Sequence, residues 1–140
     1  MVRINLINPK ALADQHLIAE YNEILKFLGY VKKFPKLNEQ PCRYCLGKGH
    51  IIFFKNKLKY IKKRFNRIKK EMKQRGFKAR KKIDLEQFPK ELRKNWKPDV
   101  KDKDIIKKRL IKKLKIKPDY YLYYGEKKDL KFFLNLLKKY

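Results

Sequence analysis

The sequence predicts an all-α protein, a compact single-domain bundle of three main helices with a short extra helix at the C-terminal end. Three observations carry this. Apolar residues recur at steps of three and four in several segments, the period of a helix with one buried face. No segment alternates with period two for long enough to argue a strand. Apolar residues make up 43% and aromatic residues 14% of the 140 residues, more than a disordered basic tail carries and enough for one domain with its own core. No internal repeat is visible.

The first helix is expected to start at Asn8-Pro9, with Asn8 as N-cap and Pro9 at the first helical position. Leu17, Tyr21, Leu25 and Leu28 then form its buried stripe. His16, Glu20 and Glu23 fall at i, i+4 and i+7 and line one polar seam, which Lys26 extends by a turn. Gly29 is expected to weaken the helix near its end. Residues 35–49 read as a loop, punctuated by Pro35, Pro41, Gly47 and Gly49. Phe54, Leu58, Ile61, Phe65, Ile68 and Met72 predict a second helix of about 25 residues, its other face almost wholly Lys and Arg, with Gly76 as its stop. Residues 77–103 are charged and irregular, and Trp96 is expected to anchor them to the core. A third helix is expected from Asp104 to Lys115, with Ile106, Leu110 and Leu114 inward. The aromatic run Tyr120–Tyr124 follows Pro118. The last helix, Asp129–Lys139, carries Leu130, Phe133, Leu134 and Leu137.

Charge divides the chain unevenly. Residues 1–31 hold three basic groups (Arg3, Lys10, Lys26) and three acidic ones (Asp14, Glu20, Glu23), so the rest carries the whole net charge of +27. Self-repulsion at that charge opposes the compact state, and a polyanion relieves it. Nucleic acid is the first candidate, because each neutralised phosphate releases counterions; an anionic membrane surface and ribosomal RNA follow. Runs such as Lys62-Lys63-Arg64 and Lys112-Lys113 are solvated helix faces that together give non-specific binding. Apolar runs as short as Ile51–Phe54 give no membrane span and no signal peptide. Two cysteines in a lysine-rich chain do not suggest a secreted disulfide scaffold, and the chain reads as intracellular, in cytoplasm or nucleoid, or in a host cell if viral.

Three groups of residues carry possible chemistry. Val2 is small enough for removal of the initiator Met1, which frees an α-amino group with pKa ~7.7–8.0 against ~10.4 for lysine. Such an amine is a ready nucleophile for imine chemistry, and Glu23 on a neighbouring helix could stabilise a developing sugar cation and move protons. The same residues also read as an ordinary frayed terminus and a solvated glutamate. Cys42 and Cys45, a C-x-x-C pair, with His50 make half a zinc site that only His16 or a carboxylate could complete; they read as structural cysteines, with no metal and no cofactor expected. Tyr120–Tyr124 beside basic residues can stack on bases or close a core.

Arg3-Ile4-Asn5-Leu6, Leu12–Leu17, Ala19-Glu20-Tyr21, Glu23 and Gly29 together resemble the pyrimidine-dimer DNA glycosylase/AP lyase family, the phage endonuclease V type. The resemblance continues in Leu46–His50, Phe53-Phe54, Lys57-Leu58, Arg75-Gly76-Phe77 and Tyr123-Tyr124-Gly125, in order and at similar spacings. It implies a glycosylase-like domain over residues 1–127, in which the N-terminal segment lies between helices, and leaves residues 128–140 as a helical extension packed on it. It implies a monomer that excises the 5′ base of an ultraviolet-induced pyrimidine dimer in double-stranded DNA. Val2 supplies the attacking amine, Glu23 the essential carboxylate, and β-elimination nicks the strand. Arg3, His16, Asn22, Lys26, Tyr121, Tyr123 and Tyr124 fall at DNA-binding or active-site positions. Val2 replaces the usual Thr, Asn22 and Lys26 replace Arg, and Leu122 stands where Lys is common. These changes bear on backbone clamping and lesion choice more than on lyase chemistry. Two other readings remain, a non-catalytic basic DNA- or RNA-binding module and a glycosylase of the same fold for other damaged bases.

Overall fold

The structure, a computed structural model, describes residues 4–37, 44 and 48–140. Val2, Arg3, Cys42 and Cys45 lie outside the described residues. Five α-helices and one very small hairpin make up the regular structure there, so the all-α expectation holds. The helices number one more than expected, because the second is divided.

A 3₁₀ turn, Pro9–Ala11, comes first, and the Asn8 side chain caps it by accepting from the Lys10 N–H at 3.0 Å. Leu12 and Ala13 are then extended, and α1 spans Asp14–Lys33. The helix expected from Asn8 thus starts five residues later. Burial explains the delay: Leu12 and Ala13 are sealed in the core, and the Leu12 carbonyl accepts from Arg75 instead of from the next helical turn. Gly29 does not end α1, which runs four residues past it.

The expected second helix is two helices, α2 (Lys48–Phe54) and α3 (Leu58–Gln74). Between them the Lys57 N–H closes a tight turn on the Phe54 carbonyl at 2.9 Å. A remote strand of chain then takes the backbone groups the break leaves over. The Lys94 N–H donates to the Asn56 carbonyl at 3.3 Å, and the Lys59 N–H donates to the Lys94 carbonyl at 3.2 Å. The apolar spacing ran through the break because Phe54 and Leu58 are both fully buried on either side of it. At the other end of α3, Gly76 adopts φ +88°. The Phe77 N–H returns to the Met72 carbonyl and the Gly76 N–H to the Lys73 carbonyl, the paired bonds of a Schellman stop.

Two 3₁₀ turns, Leu85–Gln87 and Lys90–Leu92, punctuate the connection that follows. Trp96 anchors it as expected, with its ring 5.1 Å from both Phe53 and Tyr60. Helix α4 (Val100–Ile116) begins four residues earlier than expected, because Asp99 and Asp102 form a reciprocal capping box there. Ile106, Leu110 and Leu114 face inward. Strands β1 (Leu122–Tyr123) and β2 (Glu126–Lys127) pair antiparallel, Leu122 opposite Lys127. Their two-residue turn, Tyr124-Gly125, has positive φ at both positions, 53° and 77°, the twist that suits a tight hairpin. Strands this short leave no alternation to read. Helix α5 (Leu130–Lys139) is capped by Asp129 and packs on α4 and on the Pro9–Ala11 turn, with Phe133 and Leu137 buried. Helix α1 lies against α3 at the centre of the core.

Candidate active site

Residues 4–7 are buried throughout, Ile4 and Ile7 at 1% exposure each. They are also bonded at both ends. The Ile4 N–H donates to Nε2 of the fully buried His50 at 2.9 Å. An N–H can only donate to a lone pair, so His50 is neutral with its ring proton on Nδ1. At the other end the Ile7 carbonyl accepts from Arg64 Nη1. Between these anchors Leu6 sits at φ +51°, a backbone conformation that costs a non-glycine residue about 1–3 kcal/mol and persists only where its surroundings enforce it.

Arg64 and Arg75, both buried on or just beyond α3, hold the start of the chain. Arg64 Nε donates to Glu20 Oε2 at 2.7 Å and Nη2 to Glu20 Oε1 at 3.0 Å. Burial works against the charge of Arg64, but the Glu20 carboxylate, by charge and hydrogen bond, holds its pKa above the ordinary value. Arg75 donates to the carbonyls of Leu12 (2.8 Å) and Pro9 (3.2 Å) and to Asp14 Oδ1 (2.9 Å). Asp14 in turn accepts from the backbone N–H groups of Tyr124 (3.1 Å) and Gly125 (2.7 Å). The Tyr123 and Tyr124 rings lie 4.5 and 5.1 Å from the Arg75 guanidinium. One carboxylate at the start of α1 therefore ties together the N-terminal segment, the end of α3 and the hairpin turn.

The polar seam of α1 is not uniform. Glu20 is buried and committed to Arg64. Glu23, one turn further along, is half-buried, and no ion-pair partner for it occurs among the described residues. Asn22 and Lys26 are exposed on the flanks. His16 packs under Tyr121 with ring centroids 4.7 Å apart. Burial, and then the charges of Arg109 and Lys113 on α4, lower its pKa to about 4. His16 is thus an uncharged group beside two cations near neutral pH. Arg109 and Lys113 escaped the sequence reading because nothing in a lysine-rich helix distinguishes them; only the packing of α4 brings them toward His16.

A proton NMR titration of the His16 ring should therefore give a midpoint near 4. Lys113→Gln should raise that midpoint, and an unchanged value would exclude the charge effect. The unfolded chain takes up a proton on His16 near pH ~6.5, which the folded chain does not take up until about 4. The contribution of His16 to stability therefore falls as pH drops through that window.

The aromatic run divides between core and surface. Tyr121 is buried against His16 and Phe133. Tyr123 is half-buried, and its hydroxyl donates to the Lys10 carbonyl at 2.8 Å. Tyr124 and Tyr120 are 42% and 53% exposed. The Gln15 side chain holds the run to α1, donating to the Tyr120 carbonyl and accepting from the Leu122 N–H, both at 3.0 Å.

The sequence model of the family described as pyrimidine dimer DNA glycosylase matches residues 1–85. The chain belongs to that family. Membership in the pyrimidine dimer DNA glycosylases makes DNA the substrate and base removal in DNA repair the activity. The matched stretch holds the N-terminal segment, α1 to α3 and both buried arginines; α4, the hairpin and α5 lie beyond it. The first helix is nevertheless tied to those later elements, since Asp14 is bonded to the Tyr124-Gly125 turn and His16 lies under Tyr121. No helix among the described residues is long and apolar enough to cross a membrane. Among the described residues no three potential metal ligands cluster, and Cys42 and Cys45 lie outside them.

Proposed function

We propose that this glycosylase excises the 5′ base of a cyclobutane pyrimidine dimer through an imine and then nicks the strand as an AP lyase. Removal of Met1 frees the α-amino group of Val2. That amine attacks C1′ of the damaged deoxyribose, forming the N–C1′ bond as the glycosidic bond breaks and the base leaves with its electron pair. Glu23 stabilises the cationic sugar and moves protons: the amine nitrogen gives up a proton, the C1′–O4′ bond breaks as O4′ takes one up so that the Schiff base forms, and a proton is then removed from C2′. Loss of the C2′ proton expels the 3′ phosphate by β-elimination, and hydrolysis of the imine returns the amine. No metal or cofactor takes part in this scheme.

One observation carries the reading. Chain termini ordinarily fray, whereas residues 4–7 are buried and bonded by His50 and Arg64 at both ends. That arrangement supports a role in which the group just before Ile4 must be held in place. Glu23 supports it too, lying on the same face of α1 as the Glu20 carboxylate that holds Arg64. Arg3, Lys26, Arg109 and Lys113 would meet phosphates, and Asn22 and Tyr124 would line the approach of the duplex. If six phosphates are neutralised, binding should weaken about 10³-fold between 50 and 200 mM salt; a flat response would remove the electrostatic platform from the scheme.

Borohydride trapping on a duplex with one thymine dimer, with mass-spectrometric mapping of the adduct, tests the proposal. An adduct on Val2 that requires the dimer is the expected result. An adduct on a lysine overturns the nucleophile assignment. No adduct on either a dimer or an abasic site overturns the imine mechanism altogether.

A further inference from the structure

Helix α5 lies wholly outside the stretch matched by the family, and it packs on α4. The two helices enclose a groove of about 380 Å³. Its floor is Ile111, Leu134 and Leu137, and its rim is Lys107, Lys115 and Lys138. No carboxylate and no aromatic ring lines it. On the α4 side a second depression shares Ile111 and Lys115 and extends the surface to Ile116, which is 65% exposed amid lysines.

We propose that this groove docks an acidic, amphipathic helical segment of a partner protein. Apolar side chains at helical spacing would enter the floor, and carboxylates on their flanks would meet the lysine rim, the helix-in-groove mode of recognition. Charge complementarity selects this occupant. A second copy of the chain, itself at +27, brings the wrong sign. Single-stranded nucleic acid is held through bases stacked on aromatic rings, and the groove offers none.

Position also separates the groove from Arg109 and Lys113, the α4 cations that the proposed function assigns to DNA. At about 100° per residue, Ile111 lies roughly 200° around α4 from Arg109, and Lys107 and Lys115 flank it. The buried stripe of Ile106, Leu110 and Leu114 runs between the two faces. DNA on the Arg109–Lys113 side therefore leaves the groove open, and partner and substrate can be held at once.

The test uses the full chain and a fluorescein-labelled peptide of about four helical turns, with Leu at i, i+3, i+4 and i+7 and Glu elsewhere. A scrambled peptide of the same composition controls for charge alone. Anisotropy titrations should show saturable binding that is at least about tenfold tighter for the amphipathic order. Ile111→Glu should weaken it by about tenfold or more, and the rim variant Lys107→Glu/Lys138→Glu should do the same while melting like the parent. Dimer-containing duplex should not displace the peptide, and base excision should be unchanged in both variants. Equal binding of the scrambled peptide, or parental affinity in the rim variant, overturns the proposal. So does displacement of the peptide by an oligothymidylate or by phosphatidylglycerol vesicles, which would assign the groove to nucleic acid or lipid.

Discussion

Glu23→Gln should lose base release by about 10²–10⁴-fold, the scale of a positioned proton-transfer group, while binding dimer-containing duplex almost as well as the parent. The substitution keeps the shape of the side chain and removes its charge. Glu23 is half-buried, with no ion-pair partner among the described residues, so its loss breaks no visible structural pair. Single-turnover release on a dimer duplex, beside a gel-shift titration of the same protein, separates chemistry from affinity. A variant that releases base at the parental rate removes Glu23 from the mechanism. One that loses binding in proportion makes it a recognition residue instead.

The second large effect is expected at Arg64. Arg64→Met leaves the Glu20 carboxylate buried at 0% side-chain exposure without its partner, a change that costs about 3–5 kcal/mol. Adding Glu20→Leu removes the orphaned charge, and thermal stability should recover to a large extent, because apolar residues of similar volume often replace a buried ion pair at little cost. Imine trapping should not recover with it, since the Ile7 carbonyl still lacks its donor. A double variant that regains both stability and trapping would confine Arg64 to a folding role.

What the sequence discloses and what it hides follow from range. The stripe Leu17, Tyr21 and Leu28, with Leu25 half-buried beside it, and the stop at Gly76 are local patterns that lie where their spacing puts them, and the last helix starts at Leu130, one residue later than expected, with Asp129 as its cap. The delayed start of α1 and the break at residues 55–57 are decided by Arg75 and by Lys94, groups many residues away. Glu20 shows the limit most plainly. Its place on a polar seam suggests solvent, yet it is sealed against a cation 44 positions later. Among 41 lysines and arginines no local signal marks Arg64 or Arg109 as different from a solvated neighbour. The residues alone left the Val2 amine level with an ordinary frayed terminus, and the resemblance favoured the nucleophile; Val2 and Arg3 lie outside the described residues.

The Asp14 junction has a consequence for the order of events during synthesis. Its hydrogen bonds to Tyr124 and Gly125 span 110 and 111 positions, and the Arg75 bonds it shares span more than 60. A chain emerges from the ribosome N-terminus first, at about 5–20 residues per second. The first part to emerge is therefore among the last to be fastened, several seconds later.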